Sequence, residues 1–183
     1  MPAKLAYPSS TPASRRARLL EEFKLLGVEA FVEADYEGVR NRVKGILAGK
    51  SILSWDPECL PYGTGEVLKG ETVYYGKDTK DDQGKAEYGL TGCQNVLAET
   101  GSLAMVSGPG RPRSASLMPE VHVVVIREGD ILLGMGEFFA RYKENPVLPY
   151  VVFITGPSRT ADIELSLTLG VHGPGRVIAV IGP

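Results

Sequence analysis

The run VHVVVI at residues 121–126 constrains this chain more than any other feature. It holds five β-branched residues in a nearly unbroken apolar stretch, with no alternation between greasy and polar positions. A strand with one wet face alternates, whereas a strand covered on both faces does not. YVVFIT (150–155) and RVIAVI (176–181) read in the same way. Strands buried on both faces belong to a parallel sheet layered between other elements, and parallel neighbours need crossovers of a dozen residues or more.

The spacing supplies those crossovers. A helix is expected from Ser14, with Leu19, Leu20, Phe23 and Leu26 on one face and Gly27 as its stop. VEAFVE (28–33) follows as a strand. A second helix is capped by Asp35, with Val39, Val43, Ile46 and Leu47 on its apolar side and Gly49 behind it. KSILSW (50–55) and ETVYYG (71–76) are strand-like, and Asp56-Pro57 starts a turn or a short helix. KDTKDDQGK (77–85) reads as an exposed charged loop. EYGLTGCQNVLAETGSLAMVS gives two strands about a short turn or helix, and GPGRPRSASLMPE (108–120) a long loop. Leu132, Met135, Phe139 and Tyr142 have helical spacing, and ADIELSLTLG reads as a last helix. The expectation is an α/β fold with a largely parallel central sheet flanked by helices. Residues 1–13 form a loose lead-in and residues 14–183 a single domain.

Composition narrows the function. With 20 basic and 22 acidic side chains, the net charge of -2 gives no electrostatic footprint for nucleic acid or an anionic membrane. No apolar run is long enough to cross a bilayer, and MPAKLAYPSS has no signal-peptide core, so the expected location is cytoplasmic. The two cysteines, Cys59 and Cys93, cannot supply the thiolates of an ordinary iron–sulfur cluster. The two histidines, His122 and His172, have no spacing that suggests a metal site.

Three stretches carry candidate chemistry. In TGPSRTADIE, Thr155, Gly156 and Pro157 shape a loop. Ser158 or Thr160 can cap the helix expected after it, and Asp162 and Glu164 fall in its first turn. Arg159 beside a helix N-terminus can hold a carboxylate or phosphate. Turn-and-cap chemistry accounts for the same residues without a ligand. GVHGPG places His172 between glycines, next to Gly173 and Pro174, as a general base or a structural histidine. LAETGSLAMV gathers Glu99, Thr100, Gly101 and Ser102. Glu99 is a candidate nucleophile or base, or part of a plain turn. His122 opens the buried run and is more often a packed core histidine than a catalyst. Arg111 and Arg113 in the loop before it are natural anion ligands or solvated charges. A Ser-His-Asp arrangement is disfavoured, because no G-x-S-x-G elbow is present.

GLTGCQNVLAETGSLAMV, RSASLMPEVHVVVI and ITGPSRTADIELSLTLGVHGP, in this order over roughly residues 86–181, resemble the lactate-utilization protein C family, the LUD domain. The resemblance implies a three-layer α/β fold similar to that of sugar-phosphate isomerases, CoA transferases and formyltetrahydrofolate cyclo-ligases. It also implies a part in oxidising L-lactate to pyruvate beside iron–sulfur partner proteins, with no cofactor on this chain. Glu99, His172 and His122 then stand as the catalytic candidates. Thr100, Gly101, Ser102, Thr155, Gly156, Ser158, Arg159, Thr160, Asp162 and Gly173 stand as the substrate-binding ones. Arg159 would pair with the carboxylate of a small hydroxy- or keto-acid. Two other functions remain open: a stand-alone transferase or cyclo-ligase working through Glu99, and a non-catalytic ligand-binding scaffold. Folds of this class often pair, so a homodimer is also open.

Overall fold

The computed structural model describes residues 11–143, 150–160, 168–169 and 173–183. Helix α1 (Pro12–Leu26) is capped by the Thr11 hydroxyl and ends on Gly27 at φ 77, a left-handed residue whose amide reaches back to the last turn. Leu19 and Phe23 are its buried face. Strand β1 (Glu29–Val32) follows, then α2 (Tyr36–Leu47), whose Asp35 cap accepts from the Gly38 amide at 2.7 Å. After β2 (Ser51–Ser54), two 3-10 segments at Pro57–Cys59 and Pro61–Leu68 lead to β3 (Thr72–Tyr74). The charged stretch that follows is more than a loop. Thr79 caps a one-turn helix, α3 (Lys80–Gln83), and Gln83 is buried under the chain that precedes it.

Strands β4 (Tyr88–Gly92), β5 (Asn95–Leu97) and β6 (Ser102–Val106) come next. The Gly/Pro-rich stretch then makes a tight hairpin closed by a Gly108–Arg111 bridge, and a short helix α4 (Ser114–Leu117). Strand β7 (Val121–Arg127), β8 (Ile131–Leu132), α5 (Met135–Tyr142), β9 (Val151–Thr155), β10 (Arg159–Thr160), β11 (Thr168–Leu169) and β12 (Arg176–Gly182) complete the chain.

The central sheet has the order β1-β12-β7-β4-β2-β3, and every pairing in it is parallel. The two continuous runs, β7 and β12, are its buried middle. Register fixes the faces: Gly182 lies level with Arg127, and Gly89 with His122. Val39 and Tyr62 pack on the Gly182 side. The Ala115 carbonyl of α4 lies on Gly89, on the opposite side. A second sheet, β8-β5-β6-β9, supplies Val96, Leu103 and Met105 to the main core. Its other face holds Leu97, Ala104 and Leu132 against Phe138 of α5.

Three expectations change here. YVVFIT is half-buried and pairs antiparallel with β6, outside the parallel sheet. Leu132 is a strand residue, because the chain restarts at extended Gly134 before α5 begins. The helix therefore turns Phe138 inward and leaves Phe139 60% exposed. Thr168 and Leu169, expected in a helix, pair antiparallel with Thr160 and Arg159. The rest of the expected helix lies outside the described residues.

Candidate functional site

Three of the sequence motifs meet at the C-terminal end of α1. Ser102 opens β6 opposite Thr155, the last residue of β9. Their hydroxyls are 2.8 Å apart, and the Thr100 hydroxyl lies 2.7 Å from that of Ser102, so three hydroxyls form one chain. Gly101 at φ 65 and Gly156 at φ 74 both face Leu26. A Cβ on Gly101 would lie 2.7 Å from Leu26 Cδ1, and one on Gly156 would lie 3.1 Å from Leu26 Cβ. Two glycines are required here because two loops close on one leucine. Arg159 completes the junction by donating from Nη2 to the Leu26 carbonyl at 2.6 Å, where α1 leaves its last carbonyls unpaired. Ser158 is tied by its amide to the Pro174 carbonyl at 2.8 Å, with Gly173 beside its side chain. Thr160 sits in β10. Asp162, Glu164 and His172 lie outside the described residues.

This junction occupies the amino edge of the parallel sheet, since Leu26 leads into β1 and Pro174 into β12. Ligands of such sheets bind at the carboxyl edge. The geometry gives Arg159 a fastening role. We expect Arg159→Met to lower stability by about 1 kcal/mol and to leave ligand binding at the opposite edge unchanged, as read by urea unfolding and calorimetric titration.

Glu99 is exposed on the β5–β6 turn. Its carboxylate lies over Gly134, where a Cβ would stand 2.0 Å from Oε2, and its amide donates to the Leu133 carbonyl at 2.9 Å. His122 is wholly buried. Its Nε2 lies 2.8 Å from the Thr91 hydroxyl and its Nδ1 has no partner. Burial pushes its pKa down to about 4, so the ring is neutral. Cys93 is also buried, with its thiol pushed up to about 12, and pairs with nothing.

At the carboxyl edge the loops after β2 and β3 and the hairpin after β6 enclose an open cavity of about 620 Å³. Asp56 and Glu58 come from the first loop, Tyr75, Gly76 and Lys77 from the second, and Gly108, Gly110 and Pro112 from the hairpin. Backbone bonds hold the walls together: the Asp56 amide donates to the Gly110 carbonyl at 2.8 Å. Gly76 has no room for a side chain, because a Cβ would lie 2.9 Å from Pro112 Cβ. Burial, with Asp56, Asp78 and Glu58 nearby, raises the Tyr75 phenol above its ordinary value. Arg111 stacks over Trp55 at 5.5 Å, just behind this wall. None of the sequence motifs marks Asp56, Glu58, Tyr75 or Lys77. The available signal was positional: both loops follow strands of the parallel sheet. The cavity lies beyond Val106 of β6 and the hydroxyl chain at Ser102, separated by the strand's length of roughly 13 Å. Among the described residues no group of three or more His, Cys, Asp or Glu is placed to hold a metal ion. Nor is any helix among them long and apolar enough to cross a membrane.

A parallel six-stranded sheet with flanking helices and an open polar cavity at its carboxyl edge defines a layered α/β domain. The chain belongs to the LUD domain family, whose model matches residues 66–181. It is 29% identical over 160 residues to a protein of Anoxybacillus flavithermus named Lactate utilization protein C, covering 82% of this chain and 73% of that one. A protein of Shouchella clausii with the same name is 31% identical over 146 residues, covering 74% and 64%. One from Bacillus subtilis is 28% identical over 162 residues, covering 80% and 68%. The fold is also that of a DUF162 family protein from Deinococcus radiodurans, with a TM-score of 0.75 at 19% identity, covering 96% of this chain and all of that one.

Proposed function

We propose that this chain acts in L-lactate utilization, as a component that works with iron–sulfur proteins in the oxidation of L-lactate to pyruvate. The observation that carries this reading is the family match together with relatives that share the name Lactate utilization protein C. Cysteine arithmetic supports this division of labour. An ordinary cluster takes four thiolates, this chain has two cysteines, and both are free. Electron transfer then falls to partner proteins and ligand handling to this one. The ligand site in this reading is the carboxyl-edge cavity, where Lys77 supplies the cation for an anionic ligand. The transferase or cyclo-ligase alternative gains little from Glu99, which is exposed on a turn.

Growth tests this directly. A strain lacking the gene is expected to stop growing on L-lactate as sole carbon source and to grow normally on glucose, with rescue by the wild-type chain. Undiminished growth of the deletion strain on L-lactate would overturn the proposal.

A further inference from the structure

Asp56, Glu58, Tyr75 and Lys77 share one cavity, and none of their side chains makes a hydrogen bond or ion pair among the described residues. The Lys77 ammonium lies only near the Tyr75 ring, 5.8 Å from its centre. Three acids elsewhere do hold cations: Glu33 holds Arg42, Glu29 holds Arg176 and Asp82 holds Lys85. Four unspent polar groups on one wall define what a ligand must carry. Ionised carboxylates only accept, so Asp56 and Glu58 call for several donors close together. An ammonium only donates, so Lys77 calls for an anionic end. A three-carbon hydroxy acid brings one hydroxyl and one carboxylate, which satisfies Lys77 and leaves most of the carboxylate oxygens empty. The volume agrees, because about 620 Å³ is of the size that encloses drug-sized ligands.

We infer that the cavity binds a sugar bearing a phosphate, its vicinal hydroxyls on Asp56 and Glu58 and its phosphate on Lys77. Asp56 stands just past the end of β2, at the carboxyl edge, and an acid on ribose hydroxyls is a recurrent solution in parallel α/β sheets. The Tyr75 ring offers flat apolar surface beside it. The glycines at 76, 108 and 110 keep side chains off the mouth of the cavity. The phosphorylated sugar can be free or the ribose of a nucleotide. This inference rests on the cavity being the ligand site of the proposed function.

Calorimetric titration of the full chain with ribose 5-phosphate, AMP, ribose, inorganic phosphate, spermidine and L-lactate tests it, with thermal melts as a check on folding. Ribose 5-phosphate or AMP is expected to bind at least tenfold more tightly than ribose or phosphate alone. Saturation by ribose 5-phosphate with AMP silent identifies a free sugar phosphate, and tighter AMP binding identifies a nucleotide. Asp56→Asn and Lys77→Met are each expected to weaken that binding tenfold or more without shifting the melt, because neither side chain is bonded to the protein. Silence of both phosphorylated ligands, or equal affinity in wild type and both variants, would sink the inference. Binding of spermidine or of L-lactate in their place would also overturn it. The L-lactate outcome leaves the role in lactate utilization standing, whereas failure of the growth test leaves a measured sugar-phosphate affinity untouched.

Discussion

Gly89→Ala is expected to cost about 3 kcal/mol of folding stability, at the upper end for adding a methyl group to a packed interior. Gly89 lies in β4, between Leu53 of β2 and His122 of β7. A Cβ there would stand 1.9 Å from the Ala115 carbonyl oxygen and 3.2 Å from Pro119 Cγ. The obstacle is backbone, so no rotamer change relieves it. Either α4 lifts off the sheet or β4 bends, and both open the core around Ala115 and His122. Gly45→Ala is the matched control. Gly45 is in the last turn of α2 and nothing lies within 4 Å of its missing Cβ. Alanine there is expected to add about 0.5–1 kcal/mol through helix propensity and a less flexible unfolded chain. Urea unfolding of both variants at one pH checks the opposite signs. A Gly89→Ala midpoint at or above that of wild type would mean that α4 does not rest on the sheet as described.

The same contact explains which parts of the fold were legible in the sequence. The run from Val121 to Ile126 and the run from Val177 to Ile181 announced themselves because strands covered on both faces have no polar alternation. YVVFIT carried the same signal and belongs to the other sheet. An apolar run records burial but says nothing of the direction of its neighbour, and β6 pairs with it antiparallel. Helical spacing failed at Leu132 for a related reason: one glycine, Gly134, broke the period between a strand residue and the helix proper.

Gly101 and Gly156 were legible as special backbone, and the structure gives both a contact with Leu26. Gly101, Gly156 and Arg159 are separated in sequence and converge on Leu26, at the end of a helix that none of the motifs contains. No local pattern names that contact. The cavity residues were silent for the opposite reason. Asp56, Glu58, Tyr75 and Lys77 sit in two loops joined only by the parallel pairing of β2 with β3. Each looks like an ordinary loop residue, and the cavity forms only after the strands align. The rule that ligands gather at carboxyl ends could have ranked these loops above the TGPSRT loop. It could not have done so without knowing that β9 lies outside the parallel sheet.

His122 is expected to make the protein acid-sensitive. Its folded pKa of about 4 lies below the ordinary 6.5, and burial is the cause. Above pH 6.5 the ring is neutral in both folded and unfolded chains, and its contribution is constant. Between pH 6.5 and 4 the unfolded chain takes a proton that the folded core refuses, so stability falls as pH falls. The full drop is about 3 kcal/mol, reached below pH 4. The unpaired Nδ1 adds to the cost of protonation, since an imidazolium donates from both nitrogens and only Nε2 has a partner, the Thr91 hydroxyl. His122→Gln keeps a polar group near Thr91 and does not titrate. Other groups contribute equally to both proteins, so the difference in unfolding free energy between wild type and His122→Gln isolates the histidine. That difference should shift by about 3 kcal/mol in favour of the variant between pH 7 and pH 4. A difference that stays flat over this range would mean that the ring reaches solvent or finds a second partner, contrary to its place in the sheet.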